Sequence, residues 1–283
     1  MSGKKERLDI LLVENGLFET REKAKRAIMA GQIYGNEERL EKPGEKVSRD
    51  LHLTVKGKTL PYVSRGGLKL EKALKDFDLI VDEKIMIDIG SSTGGFTDCA
   101  LQNGAKLSYA LDVGYNQLAW KLRQDERVVV MERTNFRYVK PEDFEKGMPE
   151  FATIDVSFIS LKLIFPVLKT ILVPNSDIVA LVKPQFEAGR DFVGKKGIVR
   201  DPEVHEYVLK EILDFVIKEG YHIENLSYSP ITGGDGNIEF LLHLRWNGPT
   251  EMQANNFSKT AKNIVEEAHT QLKENKLVEK QEL

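Results

Sequence analysis

Residues 85–97 combine a short apolar run, an acidic residue and a glycine-rich turn, in the order IMIDIGSSTGGFT. The turn contains three glycines, Gly90, Gly94 and Gly95. Glycine permits sharp backbone bends and the close approach of a ligand. A helix that begins near Gly95 would direct its first N–H groups toward that ligand. The pattern is typical of the strand–turn–helix unit that binds nucleotides in a doubly wound α/β sheet.

The spacing of the glycines restricts the nucleotide. It is Gly-x-x-x-Gly-Gly rather than the Gly-x-Gly-x-x-Gly of NAD enzymes, and Phe96 stands where a Walker motif has its phosphate-binding lysine. A triphosphate is therefore not expected. Asp88 ends this strand and Asp112 ends the next apolar run. Carboxylates at these points suit ribose hydroxyls and an ammonium group, and S-adenosylmethionine carries both.

The composition indicates a soluble globular protein of about two domains. The chain has 283 residues, of which 41% are hydrophobic and 30% charged. Its one cysteine, Cys99, is expected to be a buried structural thiol. No leader opens the chain and no apolar run approaches the ~18 residues that a membrane span needs. We therefore predict a cytoplasmic protein that has no membrane partner and no metal.

Charge is unevenly distributed along the chain, whose net charge is −3. Residues 1–60 contain 13 Lys and Arg against 10 Asp and Glu, and the rest of the chain contains 28 against 34. In the basic part, Thr20 is suited to cap a helix over 21–30 whose apolar residues share one face. Lys23 and Arg26 must then project away from that face, where they can meet phosphates.

Three motifs in this region resemble those of the S4-type RNA-binding domain, which is named after a ribosomal protein. They are Arg7-Leu8-Asp9, Thr20-Arg21 and Gly31-Gln32-Ile33. Gly35-Asn36 departs from the Asn-Gly that the family usually has at its hairpin. The resemblance implies a small α+β RNA-binding domain over residues 1–60. The alternative is a small helical domain whose basic helix is simply solvated.

Strand and helix signals alternate over residues 61–249, which favours an α/β domain with a mostly parallel sheet covered on both faces. We predict seven strands, near 85–88, 107–112, 127–131, 151–154, 178–182, 223–229 and 238–244. The clearest helix spans 202–219, with Asp201 as N-cap and Gly220 past its end. This order resembles the Rossmann-like seven-stranded methyltransferase sheet, whose last strand is antiparallel. Residues 250–283 are expected to add one helix and a frayed tail.

Four ionisable residues fall where the ligand edge of such a sheet is expected. In a doubly wound sheet, ligands bind at the carboxyl ends of the parallel strands. Asp155 and Lys183 each directly follow a predicted strand, and Glu239 lies at the beginning of the antiparallel one. Lys69 belongs to the helix before the first strand. All four side chains should therefore reach one edge.

Five segments resemble motifs of the FtsJ-like ribose 2′-O-methyltransferases. They are SRGGLKL at 64–70, DIGxxxGGFT at 88–97, DVSF at 155–158, KPQF at 183–186 and NIE at 237–239. With the amino-terminal motifs, they resemble the TlyA group of haemolysin-named ribosomal-RNA methyltransferases over about residues 6–270. The resemblance implies S-adenosyl-L-methionine as methyl donor and ribosomal RNA or ribosomal subunits as partner. It also implies that Lys69, Asp155, Lys183 and Glu239 form a Lys-Asp-Lys-Glu catalytic tetrad.

The implied reaction needs a base, because a ribose hydroxyl is a poor nucleophile until its proton is being removed. A lysine is a base only when neutral, so its pKa of ~10.4 must fall toward ~7–8. A second lysine and burial lower a lysine pKa and carboxylates raise it, which leaves open which lysine is neutral. We expect Lys183 to be the base, Asp155 and Glu239 to orient it, and Lys69 to hold the hydroxyl or a phosphate.

The resemblance, together with the basic residues of the exposed helix face and of the loop over 184–200, indicates residues that bind the cofactor and the RNA. The cofactor set is Asp88, Gly90, Gly94, Gly95, Phe96, Asp112 and Asn135. Asn135 is as readily interpreted as a turn residue. The RNA set is Arg7, Arg21, Lys23, Arg26, Arg65, Arg190, Lys195 and Lys196. The last three lie in residues 184–200, which have little secondary-structure signal and either close over a substrate or stay solvated.

Other functions fit fewer of these features. A small-molecule methyltransferase would share the glycine turn but would not need a basic helical module. A pore-forming haemolysin is suggested by the family name alone, and no apolar span supports it. A pseudouridine synthase also carries an S4-type domain, yet Arg7-Leu8-Asp9 lies outside a catalytic sheet. A binding protein without catalysis is disfavoured by the complete tetrad. The sequence leaves the target nucleotide, the ribosomal subunit and the oligomeric state open.

Overall fold

The computed structural model describes residues 5–29, 31–36, 38–40, 42–56, 60–194, 196–233, 236–248 and 258–281. The chain divides into two compact units, Met1–Pro61 and Tyr62–Leu283.

The first unit contains two short helices and two small antiparallel sheets. Its elements are β1 (Lys5–Arg7), α1 (Leu8–Glu14), α2 (Arg21–Met29), β2 (Ile33–Gly35), β3 (Glu38–Arg39), β4 (Lys46–Ser48) and β5 (Leu53–Val55). β1 pairs with β4, and β2 lies between β3 and β5. Thr20 caps α2 as expected, because its Oγ1 accepts a hydrogen bond from Lys23 N at 3.3 Å. Asn36 itself adopts the left-handed φ of 48° after β2, so the chain turns despite the reversed Gly-Asn order.

The core of the first unit lies between the apolar faces of its helices. The buried side chains are Leu8, Leu11 and Leu12 of α1 and Ala24, Ala27 and Ile28 of α2. This spacing leaves Lys23 and Arg26 on the exposed side of α2, as the sequence predicts.

The second unit is an α/β sandwich around a seven-stranded sheet. Its elements are α3 (Gly66–Asp76), β6 (Ile85–Ile89), α4 (Gly95–Gln102), β7 (Leu107–Leu111), α5 (Trp120–Arg123), β8 (Val128–Met131), β9 (Phe151–Ile154), α6 (Phe165–Leu168), β10 (Ser176–Val182), α7 (Pro184–Glu187), α8 (Pro202–Lys218), β11 (His222–Tyr228), β12 (Phe240–Trp246) and α9 (Ser258–Gln281). The sheet order is β11-β12-β10-β9-β6-β7-β8, and β12 is antiparallel to both neighbours. All seven predicted strands are present, which confirms the predicted fold class.

Both faces of the sheet are covered, so its strands are apolar along most of their length. In β6, Met86 and Asp88 point toward α3 and α4, whereas Ile87 and Ile89 point to the opposite face. The opposite face is covered by α6, α8 and α9. Cys99 of α4 is fully buried, and burial raises the pKa of its thiol to about 12, which agrees with a structural role.

Helix α8 has the ends that the sequence predicts. Asp201 Oδ1 accepts a hydrogen bond from Glu203 N at 2.9 Å, Pro202 occupies the first position, and Gly220 follows the helix at a φ of 90°. Helix α9 packs against α8 and β11 through buried Ala261, Val265 and Ala268. Phe257, which precedes α9, lies outside the described residues.

Residues 184–200 are more regular than predicted. They contain α7 and a turn of 3-10 helix at Arg190–Phe192. Pro184 opens α7 with a φ that is already helical, and Pro184 O accepts a hydrogen bond from Ala188 N at 2.9 Å. One helical turn is too short to give a periodic pattern in the sequence, which explains why it was missed.

Candidate active site

The topology brings four charged residues to one edge of the sheet. Asp155 directly follows β9 and Lys183 directly follows β10, and these strands are parallel neighbours. Because β12 is antiparallel to β10 and begins opposite Val182, Glu239 also lies at this edge. Lys69 reaches it from the buried side of α3. The four residues that the resemblance implies as a tetrad are therefore brought together.

The two lysines share one carboxylate, and each has a further partner of its own. Asp155 Oδ1 lies 2.5 Å from Lys183 Nζ, and Asp155 Oδ2 lies 3.3 Å from Lys69 Nζ. Lys69 Nζ also lies 2.8 Å from Glu239 Oε2. Lys183 Nζ donates a hydrogen bond to Ser157 Oγ at 3.2 Å. Asp155 thus contacts Lys183, whereas Glu239 contacts Lys69 rather than Lys183, and the sequence does not predict the contact of Lys183 with Ser157.

The charge state of Lys69 follows from its neighbours. Burial disfavours its ammonium, but the carboxylates of Asp155 and Glu239 outweigh burial and raise the pKa of Lys69 above its usual value. Burial likewise acts to raise the pKa of Asp155, and the two lysines outweigh it, so that this pKa is lowered. Lys69 is therefore a charged donor beside a charged carboxylate, and is not suited to be a base.

The glycine turn after β6 is required by close packing. A Cβ on Gly90, whose φ is 86°, would lie 2.6 Å from Asp155 O. Gly94 precedes α4 in a left-handed conformation with a φ of 96°. A Cβ on Gly95 would lie 2.3 Å from Ser64 Oγ. The turn can therefore lie against both the residue after β9 and the residues before α3 only because glycine occupies these positions.

Asp88 ties the end of β6 to the beginning of α4. Its Oδ2 accepts hydrogen bonds from Thr97 N at 3.0 Å and from Thr97 Oγ1 at 2.8 Å, and its Oδ1 accepts one from Thr153 Oγ1 at 3.0 Å. Burial raises the pKa of Asp88 to about 6, and these hydrogen bonds oppose the rise. Both oxygens are thus already engaged by the protein, although Asp88 borders the adjacent cavity.

A cavity of about 680 Å³ lies between the glycine turn and the four charged residues. Its wall includes all four tetrad residues, Gly90, Ser91, Ser92, Gly95 and Phe96 of the turn region, Arg65 before α3, and the aromatic residues Phe158 and Phe186. Two buried oxygens on this wall, Glu239 Oε2 and Gln185 Oε1, make no hydrogen bond within the described residues. Glu239 Oε2 nevertheless pairs with the Lys69 ammonium at 2.8 Å, and a carboxylate oxygen paired in this way keeps a second lone pair that can accept a hydrogen bond.

Asp112 and Asn135, which are expected to bind the cofactor, do not line this cavity and make local hydrogen bonds. Asp112 Oδ2 accepts a hydrogen bond from Ser92 N at 2.8 Å, and Oδ1 accepts one from Gly114 N at 2.7 Å. Asn135 Oδ1 accepts one from Arg137 N at 3.1 Å and so caps a turn of 3-10 helix. The geometry of Asn135 corresponds to its interpretation as a turn residue, and Asp112 shapes the backbone of the glycine turn.

The basic residues expected to bind RNA are spread over both units. Arg7 and Arg21 lie 2.9 Å and 2.8 Å from the fully buried carboxylate of Asp9, and hydrogen bonds from Arg7 hold the pKa of that carboxyl well below its usual range. Lys23 pairs with Glu19. The exposed residues in this set also include Arg26, Arg65, Arg190 and Lys196. Lys195 lies outside the described residues.

Neither a membrane span nor a metal-ligand cluster is found in the described part of the chain. None of its helices is long and apolar enough to cross a bilayer. Its His, Cys, Asp and Glu side chains form no group of three or more that could hold a metal ion.

Comparison with known proteins gives matches over both units. Residues 62–246 match the family described as FtsJ-like methyltransferase, and residues 6–52 match the S4 domain. YqxC of Bacillus subtilis (strain 168) is 74% identical over 276 residues, which cover 98% of this chain and 98% of that protein. The 16S/23S rRNA (cytidine-2′-O)-methyltransferase TlyA of Mycobacterium tuberculosis (strain ATCC 25618 / H37Rv) is 41% identical over 84% of this chain and 89% of its own. A solved structure from Streptococcus thermophilus has a TM-score of 0.77 and 56% identity, and the match covers 96% of this chain and 98% of that one.

Proposed function

The chain belongs to the FtsJ-like methyltransferase family and carries an S4 domain, and we propose that it methylates a ribose 2′-hydroxyl of ribosomal RNA, with S-adenosyl-L-methionine as methyl donor. The observation that carries this proposal is the convergence of Lys69, Asp155, Lys183 and Glu239 on one cavity beside the glycine turn. Two lysines and two carboxylates are the groups needed to deprotonate and align a hydroxyl.

Lys183 is the base in this proposal. Both lysine side chains lie on the cavity wall, where the positive charge of a bound sulfonium would disfavour two ammonium groups beside it. Lys69 is held by two carboxylates, whereas Lys183 contacts only Asp155 among the carboxylates within ion-pair distance in the described residues. Once the proton of Lys183 has passed to solvent, its amine takes the proton of the ribose hydroxyl, while the Lys69 ammonium stabilises the developing negative charge on oxygen.

The cavity fits the proposed cofactor. Bound S-adenosyl-L-methionine would supply a methyl group activated by its sulfonium charge. The cavity volume of about 680 Å³ lies within the usual range for small-molecule sites. The backbone of Gly90 and Ser91 and the ring of Phe96 would hold the cofactor, and the open acceptor on Glu239 is available to the substrate hydroxyl.

The first unit supports ribosomal RNA as the substrate. It matches the S4 domain and presents the half-buried Arg7 and the exposed Arg21 and Arg26. Arginine on a small domain suits contacts with phosphate oxygens, which set affinity and register without reading bases. The protein named TlyA in Mycobacterium tuberculosis, 41% identical, is described as a 16S/23S rRNA (cytidine-2′-O)-methyltransferase. We accordingly place this protein in the cytoplasm, with the ribosomes.

The test is to map ribose methylation. Purified protein is incubated with tritiated S-adenosyl-L-methionine and with naked ribosomal RNA or ribosomal subunits, and 2′-O-methylnucleosides are identified by mass spectrometry of nuclease digests. We expect label on one or a few ribose 2′-oxygens, and the same label from the matched variant Lys218→Ala, whose lysine is exposed on α8. Label on a nucleobase, or methylation of small molecules without RNA, would replace the proposal with a different methyltransferase activity.

A further inference from the structure

Asn237 is buried and uses both ends of its side-chain amide to join two loops. Its Oδ1 accepts a hydrogen bond from Val199 N at 3.0 Å, and its Nδ2 donates one to Gly197 O at 2.9 Å. Its backbone carbonyl accepts a hydrogen bond from Gly233 N at 2.9 Å. Only 2% of the residue is exposed. One side chain therefore fixes residues 197–199 to the chain that leads into β12.

The loop that Asn237 fixes leads to Glu239 and forms part of the wall of the active-site cavity. Thr232 and Gly233 line the cavity beside Glu239. A Cβ on Gly233 would lie 2.7 Å from Glu239 Oε1, so the backbone of this wall packs directly on the catalytic carboxylate. Displacing the wall would change the 2.8 Å separation of Glu239 Oε2 from Lys69 Nζ.

The other partner of Asn237 belongs to the basic segment that follows α7. Exposed Lys196 and Arg200 flank residues 197–199, and Val199 itself is buried. Val199 O lies 3.2 Å from His205 Nε2 on α8, so the segment is held from both sides. The backbone that bears Lys196 and Arg200 therefore depends on Asn237 for its position.

We propose that Asn237 is a positioning residue that couples the basic segment 196–200 to the catalytic pair of Glu239 and Lys69. This inference rests on the proposed ribose methylation. The buried amide of Asn237 fixes the distance between two groups. One is the basic segment, which holds RNA phosphates, and the other is the Glu239 carboxylate, which aligns the hydroxyl. Asparagine is suited to the task because its short amide supplies one acceptor, to Val199 N, and one donor, to Gly197 O.

The decisive variant is Asn237→Asp. Its carboxylate can still accept from Val199 N, but it places a second acceptor against Gly197 O, so that contact becomes repulsive. We expect kcat for RNA methylation to fall by about tenfold or more, because small displacements of aligned groups are costly. Affinity for S-adenosyl-L-homocysteine, measured by calorimetry, should change by less than about twofold, because Asn237 is not part of the cavity wall.

A double-mutant cycle separates positioning from general loss of structure. If Asn237 acts through Glu239, Asn237→Asp should lower single-turnover methylation in the wild type but hardly further in Glu239→Gln. If Asn237→Asp lowers the methylation rate by the same factor in the wild type and in Glu239→Gln, the proposal is overturned. Unchanged methylation by Asn237→Asp would overturn it as well, whereas absence of methylation by the wild type would refute the proposed function instead.

The matched control is Asn225→Asp in β11. Asn225 also uses its amide between two elements, with Nδ2 3.2 Å from His243 Nδ1, and it lies away from the cavity wall. It should retain wild-type kcat. If Asn237→Asp does not fold, Asn237→Ser loses the donor to Gly197 O without adding a charge, and the same cycle with Glu239→Gln is measured on it.

Discussion

Lys69 Nζ lies 2.8 Å from Glu239 Oε2, so the carboxylate expected to orient Lys183 holds the other lysine. This pairing gives the two lysines different environments. Lys69 lies between two carboxylates and keeps its charge, while Lys183 lies between one carboxylate and a hydroxyl. The difference distinguishes their proposed roles and leads to the first two predictions.

Lys183→Ala should lower the single-turnover rate of methyl transfer by about 10²–10⁴-fold, the usual contribution of a general base. Affinity for S-adenosyl-L-homocysteine should stay nearly unchanged, because the glycine turn is intact. Rates are measured with tritiated methyl donor and affinity by calorimetry, with Lys218→Ala as control. Full activity in Lys183→Ala would end its assignment as the base.

Lys69→Met should destabilise the second unit by about 3–5 kcal/mol, because it leaves the buried carboxylate of Glu239 without its cation and leaves Asp155 paired with Lys183 alone. Adding Glu239→Gln removes one of these charges and should recover about 1 kcal/mol or more of the loss. Urea unfolding of the single and double variants measures both effects. If the losses in the free energy of unfolding of the two single variants simply add in the double variant, the Lys69–Glu239 contact does not contribute to stability in this way.

Gly94→Ala should be more harmful than Gly189→Ala, although both glycines have a positive φ, of 96° and 82°. Alanine in that region costs about 1–2 kcal/mol at either position. At Gly94 a Cβ would also lie 2.3 Å from Leu122 Cδ1, whereas nothing lies within 4 Å at Gly189. Thermal unfolding should show the larger loss for Gly94→Ala, with weaker cofactor binding. Equal losses of thermal stability in the two variants would show that the Leu122 side chain can move away from the new Cβ without a measurable loss of stability.

Stability should fall with acid through His205. Burial first, and then nearby His269, lower the pKa of His205 from 6.5 to about 4, while the hydrogen bond with the Val199 carbonyl and then the charge of Asp201 oppose the change. The folded protein thus favours neutral His205, and its contribution is complete above pH 6.5 and is lost as the pH falls toward 4. The slope is at most about 1.4 kcal/mol per pH unit.

His205→Phe should flatten this slope in urea unfolding, even if the variant is less stable at neutral pH, because phenylalanine does not titrate. His52→Gln, which replaces an exposed histidine of the first unit, is the control and should leave the slope unchanged. A slope for His205→Phe equal to that of the wild type would assign the acid sensitivity to other groups.

Arg21→Ala should act on RNA binding rather than on chemistry. It removes one of the two arginines that meet Asp9, and Arg7 still satisfies that buried carboxylate. We expect KM for ribosomal RNA to rise about tenfold, the salt dependence of binding to weaken, and kcat at saturating RNA to stay within about twofold. A fall in kcat with constant KM would argue against a purely binding role.

The sequence was sufficient for the sheet and for the edge at which the site lies. Asp155 and Lys183 directly follow parallel strands, and the position of Glu239 required only that the last strand be antiparallel. These inferences depend on backbone direction, which the strand pattern predicts well.

Pairing within the site could not be predicted in this way. A lysine side chain is long enough to reach either carboxylate, and its choice depends on packing around α3 that no local pattern shows. Asp88 was expected to meet a ligand, yet Thr97 and Thr153 occupy both of its oxygens. The contacts of Asn237 with residues 197–199 likewise join segments that only the tertiary fold brings together.

Ser157 is exposed, and its hydroxyl oxygen lies 3.2 Å from the buried Lys183 amine. Each turnover of the proposed reaction releases one proton from the RNA, and that proton must eventually reach bulk water. A single hydroxyl step leads from Lys183 to the surface. The amine can therefore be reset for the next cycle by proton exchange with solvent, with no need for the protein to open.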